Sequence, residues 1–133
     1  MNNLQRIGGI AALCEAAIYI VAFVFFGAFW DYPGNTDDAQ KLIFLTNNQL
    51  VLSIVNLTMY VAFGLLLAVL VLALHERMKN TAPVLSQLAS LFGIVWVGLV
   101  IASGMIANVG LDAVIDLSAK NAEQAMELWI IIN

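Results

Sequence analysis

Three apolar runs, each about 24 residues long, dominate this chain: residues 7–30, 50–74 and 88–111. Each meets the requirement of about 20 apolar residues for a helix crossing a hydrocarbon core roughly 30 Å thick. A spanning strand would need about ten residues of alternating polarity, and these runs do not alternate. In lipid, a helix satisfies its own backbone hydrogen bonds. The expectation is an all-α integral membrane helical bundle, a single membrane domain over residues 1–133.

Composition agrees with that reading. The chain is 62% hydrophobic and 11% charged, with mean hydropathy +0.94. A soluble domain is nearer half apolar and about a quarter charged. The first run is not read as a cleaved leader. It is longer than the roughly 7–15 residues typical of such a core, and no A-x-A-like site follows it. No basic cluster suggests nucleic acid. Cys14 is the single cysteine and His75 the single histidine. One of each cannot build a usual zinc or bis-histidine haem site, so no metal or cofactor is expected. Cys14 itself is read as a small buried apolar residue.

The segments between the runs set an orientation. Arg6 precedes the first run, and Arg77 and Lys79 lie between the second and third. Asp31, Asp37, Asp38 and Lys41 lie between the first and second, and Asp112, Asp116, Lys120, Glu123 and Glu127 follow the third. Basic residues favour the cytoplasmic side. The expected protein is multi-pass in the cytoplasmic membrane, with its N-terminus inside and segments 31–49 and 112 onward outside.

Within the long outer segment, Y-P-G-N marks a turn, and Thr36 before two aspartates reads as an N-cap. A short helix over about 37–45 is expected, with Leu42, Ile43 and Leu45 resting on the membrane surface. Pro83 suits the first turn of the third helix. The stretch 75–79 (H-E-R-M-K) reads as a solvated loop. Asn121, three residues before Gln124, opens another helix from about 122. Ile130, Ile131 and Ile132 then make that segment either a short surface helix or the start of a fourth span. The expectation adopted is the fourth span, cut short, because bare isoleucines make a poor stop in water.

The faces of the runs differ. At 100° per residue, Gly8, Ala11, Ala12, Ile18, Tyr19, Ala22 and Phe26 share a face with Glu15. Small residues let membrane helices approach, so Glu15 points into the bundle. Gln49, Ser53, Asn56, Tyr60 and Gly64 lie on a polar face of the second helix. Ser86, Ser90, Gly93, Gly104 and Asn108 lie on that of the third. Counting at 1.5 Å per residue puts Asn56 and Asn108 at one depth, where they can bond, with Ser53 and Ser90 as further interhelical polar contacts. The same count puts Glu15 near Trp96, with Tyr19 and Tyr60 as other partners. No Lys or Arg lies within a run, so a neutral acid is expected. Glu15 is either a proton- or cation-binding site, since intramembrane acids are functional hypotheses by default, or a hydrogen-bonding strut.

Two resemblances follow from these residues. The string G-G-x-x-A-L-C-E at 8–15, with a W-x-G at 96–98, resembles the small multidrug-resistance exporters. There a single glutamate of the first helix alternately binds protons and lipophilic cations within a dimer. The long segment 31–49 departs from the compact loops of that family. More widely, R-I-G-G-I-A-A-L, L-S-I-V-N-L and the stretch from Ala73 to Gly104 resemble an uncharacterised bacterial family of multi-pass membrane proteins, a domain of unknown function. Its members are generally longer. That resemblance implies fold and membrane location and brings no site residues.

The expected function is therefore that of a structural or accessory membrane component, not an enzyme, surrounded by lipid and able to self-associate through its small-residue faces. The rival expectation is a proton-coupled transporter of small molecules or lipophilic cations working through Glu15. No nucleophile–base pair is visible in the sequence, and no ligand is specified.

Overall fold

The computed structural model describes residues 3–133. Helix α1 (Asn3–Val24) continues into a π-helical turn, Phe25–Phe29. Helix α2 is Asp38–Asn47. Helix α3 (Gln49–Asn56), a second π-helical segment (Leu57–Ala62) and α4 (Phe63–Met78) follow one another as one rod. Helix α5 is Pro83–Ser118 and α6 is Ala122–Ile132. Among the described residues there is no strand. Three helical stretches are long and apolar enough to cross a membrane: Asn3–Phe29, Gln49–Met78 and Pro83–Ser118.

The helix starts follow local chemistry. Pro83 occupies the first turn of α5 after Ala82, where its missing N–H costs nothing. Asn121 caps α6, its side-chain oxygen accepting from the Gln124 backbone N–H at 3.2 Å. Helix α2 differs from expectation. Asp37 stands at the N-cap position without a side-chain cap bond, and the Thr36 hydroxyl donates back to the Pro33 carbonyl at 3.3 Å. The loop between α4 and α5 is also shorter than the sequence suggested. His75 to Met78 form the last turn of α4.

The rod is the centre of the bundle. Helix α1 packs along one side of α4 and α5 along another, and α1 and α5 pack on the rod rather than on each other. Small residues set both seams. A Cβ on Gly8 would overlap the Ala73 Cβ, and one on Gly104 would overlap the Tyr60 side chain. The outward faces are apolar and open: Leu13, Phe23 and Phe92 are all more than two-thirds exposed. Lipid is the solvent such faces need.

The largest fully buried side chains, Leu45, Leu111 and Val114, lie at the end of the bundle opposite Arg6 and Arg77. There α2, α5 and α6 come together. Leu42, Val114 and Ala125 form one cluster, and Leu45, Leu52 and Leu111 another, with Trp129 against both. The expectation that Leu42 and Leu45 rest on a membrane surface is corrected: both are buried, and only Ile43 is exposed. The cause is the length of α5. Its 36 residues span about 54 Å at 1.5 Å per residue, well beyond a core of about 30 Å. The extra turns give α2 and α6 an apolar wall, and each buried leucine contributes about 1.5–3 kcal/mol. Helix α6 turns back along α5, so that Ile132 lies against Gly110, while Ile130 and Ile131 face outward.

Candidate functional site

Glu15 lies on the inward stripe of α1, which buries Gly8, Ala11, Glu15 and Ala22. It is 8% exposed, and its Oε1 has no hydrogen-bond partner. Gly8 meets Ala73, and the Tyr19 ring meets Phe63 edge-on at 5.1 Å. Between these two contacts Glu15 falls near the level of Leu67. The facing stretch of α4, residues 63–74, holds no polar side chain. The rod therefore has nothing to offer the carboxyl group.

The expected partners do not reach it. Tyr19 and Trp96 are more than half exposed, and none of Tyr19, Tyr60 and Trp96 bonds to Glu15. Those three instead line a cleft of about 260 Å³ with Phe63, between α1 and α5. Equal depth did not bring Trp96 to Glu15 because the two helices flank different sides of the rod. Cys14, expected to be buried, is exposed on α1.

The polar faces of the rod and α5 do meet. Asn56 Nδ2 donates to Asn108 Oδ1 at 3.1 Å, and Asn108 Nδ2 donates to the Ser53 carbonyl at 3.3 Å. Ser53 thus contributes its backbone, not its hydroxyl. Ser90 is not an interhelical contact. Its hydroxyl donates to the Ser86 carbonyl of its own helix at 2.7 Å, a local bond that serine makes readily. A cycle built from Asn56→Ala, Asn108→Ala and the double variant is expected to return a coupling of about 0.6 kcal/mol. Equilibrium unfolding in mixed micelles measures it, and additive losses would mean the side chains do not interact.

The sequence places Ser86 and Gln49 on polar helix faces but does not pair them, and Gln5 escapes it altogether. Ser86 is 3% exposed, with its Oγ 2.9 Å from His75 Nδ1 and 3.2 Å from the His75 carbonyl. One arrangement satisfies both. Nδ1–H donates to Oγ, and the hydroxyl donates its own proton to the carbonyl, an assignment inferred from the network. This fastens the α4–α5 hairpin: residues 75–78 are helical rather than loop, while Arg77, Met78 and Lys79 stay exposed. Gln5 Nε2 donates to the Ala73 carbonyl at 2.8 Å, and Gln49 Nε2 donates to Asp112 Oδ1 at 2.7 Å. The signal for each was a polar residue at a helix end, which periodicity within one helix cannot pair.

A larger cavity, about 370 Å³, opens at the acidic end and is lined by Phe26, Trp30, Tyr32, Asn56, Tyr60 and Trp129 among others. Around it the aromatic rings touch in series: Phe26 with Phe25 at 5.1 Å, Phe25 with Trp30 at 5.6 Å, Trp30 with Phe44 at 5.1 Å. Among the described residues no group of three His, Cys, Asp or Glu side chains is placed to hold a metal. No protein-family model, curated protein or solved structure matches the chain.

Proposed function

We propose that this chain is a non-catalytic, multi-pass component of the cytoplasmic membrane, a structural or accessory bundle with the end bearing Arg6, Arg77 and Lys79 toward the cytoplasm. The observation that carries the reading is how its interhelical polar groups are employed. Gln5 with Ala73, His75 with Ser86, Asn56 with Asn108, and Gln49 with Asp112 bond to one another at successive levels of the rod. Each pair joins two helices. The Ser86–His75 pair does not argue for catalysis. The serine is buried, and its proton is directed to a carbonyl oxygen rather than to a base, the reverse of an activated nucleophile.

One group stands outside this scheme. Glu15 is buried with an unpartnered oxygen, and that observation favours the second reading, a transporter that loads protons or cations on Glu15. Proteoliposomes holding a pH-sensitive dye, under an imposed pH gradient, separate the two. The structural reading expects proton flux no greater than in protein-free vesicles. A protein-dependent flux lost in Glu15→Gln would overturn it in favour of transport.

A further inference from the structure

The aromatic cavity at the acidic end is a separate feature from Glu15, and nothing in the structural reading requires it. Its lining brings together aromatic side chains from four parts of the chain: Phe26 from the π-helical end of α1, Trp30 and Tyr32 from the loop beyond, Tyr60 from the rod, and Trp129 from α6. Trp30, Tyr32, Tyr60 and Trp129 are each only partly buried, so each keeps some surface open although Trp30, Tyr32 and Trp129 also pack on the apolar clusters. Asn56 supplies a polar group at the wall, and no Lys or Arg lines the space.

Two kinds of evidence say what such a space would hold. The first is charge. Segments 31–49 and 112–128, which surround this end, carry seven carboxylates against Lys41 and Lys120. Lys41 is itself paired with Asp38 at 3.5 Å. No acidic side chain lines the space itself, but the net negative charge of these segments favours cations at this end of the bundle, and aromatic faces carry the negative side of their quadrupoles. The second is backbone. The π-helix is rare, well under about 1% of residues, and it gathers at functional sites. Among the described residues there are two such segments, and each contributes an aromatic residue, Phe26 and Tyr60, to the same cavity.

We propose that this cavity binds a small organic cation, an alkylated ammonium group carrying apolar substituents. The volume of about 370 Å³ sits at the small end of ligand sites, which run from about 300 to 1,000 Å³. The aromatic walls hold the cationic head, and Asn56, whose Nδ2 donates to Asn108, keeps its Oδ1 as an acceptor dipole for that head.

The test uses the full chain in a neutral maltoside micelle, with benzyltrimethylammonium as the probe. Neopentylbenzene, its uncharged isostere, is the control. Saturable binding is expected by calorimetry and by tryptophan fluorescence, with the cation preferred at least about tenfold over the isostere. Tyr60→Phe keeps a ring face and is expected to keep affinity. Tyr60→Leu keeps the Cβ and Cγ packed on Gly104 and is expected to lose about 3–30-fold, the factor for one cation–π contact. Equal binding of cation and isostere would overturn the proposal, as would no saturable binding. So would binding lost in Trp96→Leu, which lines only the other cleft, and retained in Trp129→Leu, which lines only this cavity. The comparison of probe and isostere on the unmodified chain stands even if a variant folds poorly.

Discussion

Gly104→Leu is expected to lower the stability of the micelle-reconstituted protein by about 2–3 kcal/mol. The contact is backbone-close. A Cβ at 104 would overlap the Cβ of Tyr60, and that atom is fixed to the rod and cannot rotate away. The rod and α5 must then move apart. The damage spreads by one turn in each helix, because Asn56 lies four residues before Tyr60 and Asn108 four after Gly104. Their hydrogen bond of 3.1 Å would be stretched with the seam. Gly98 supplies the control, since nothing lies within 4 Å of a Cβ placed there. Gly98→Leu is expected to stay within about 0.5 kcal/mol of the parent. Helical circular dichroism during titration with a denaturing detergent measures both. Equal losses in the two variants would mean that Tyr60 does not press on Gly104.

Replacing Glu15 with methionine should move stability the other way, upward by about 1–3 kcal/mol. A buried polar atom without a partner forfeits its solvation and gains nothing in return. Oε1 of Glu15 is such an atom, and the α4 surface opposite it is apolar throughout. Methionine has a similar length, flexible torsions and no such debt. The same titration reads the result. A gain would mean that the carboxyl group is kept at a cost to folding, as residues retained for function often are, and would add weight to the transport reading. A loss would mean that Glu15 makes a stabilising hydrogen bond in the membrane and belongs with the struts.

The unpaired acid also marks where sequence reasoning stopped. That Glu15 faces inward was readable, because Gly8, Ala11 and Ala22 share its stripe and small residues mark a helix seam. Which helix it faces was not. Depth along each helix can be counted, and it placed Trp96 level with Glu15. Lateral position cannot be counted, and α1 and α5 turned out to flank the rod on separate sides. The two asparagines were readable for the complementary reason. Their helices are joined by a short turn and are neighbours, so equal depth became contact.

The fate of α2 and α6 follows the same division. The sequence carried their existence in Asn121, the acidic first turns and the apolar residues at helical spacing. It could not say that Leu42, Leu45 and Met126 would be buried. That required α5 to continue to Ser118, past the end of its apolar run, because helical hydrogen bonding does not stop where hydrophobicity does. By itself the sequence determined the all-α class, three helices able to cross a membrane and a sharp division of charge between the two ends. These depend on segment length, backbone hydrogen bonding and composition, which are local properties. Tertiary structure alone decided which faces meet, leaving Glu15 without a partner and gathering five aromatic rings around one cavity. Those outcomes depend on how side chains from distant segments fit together, which no single helix encodes.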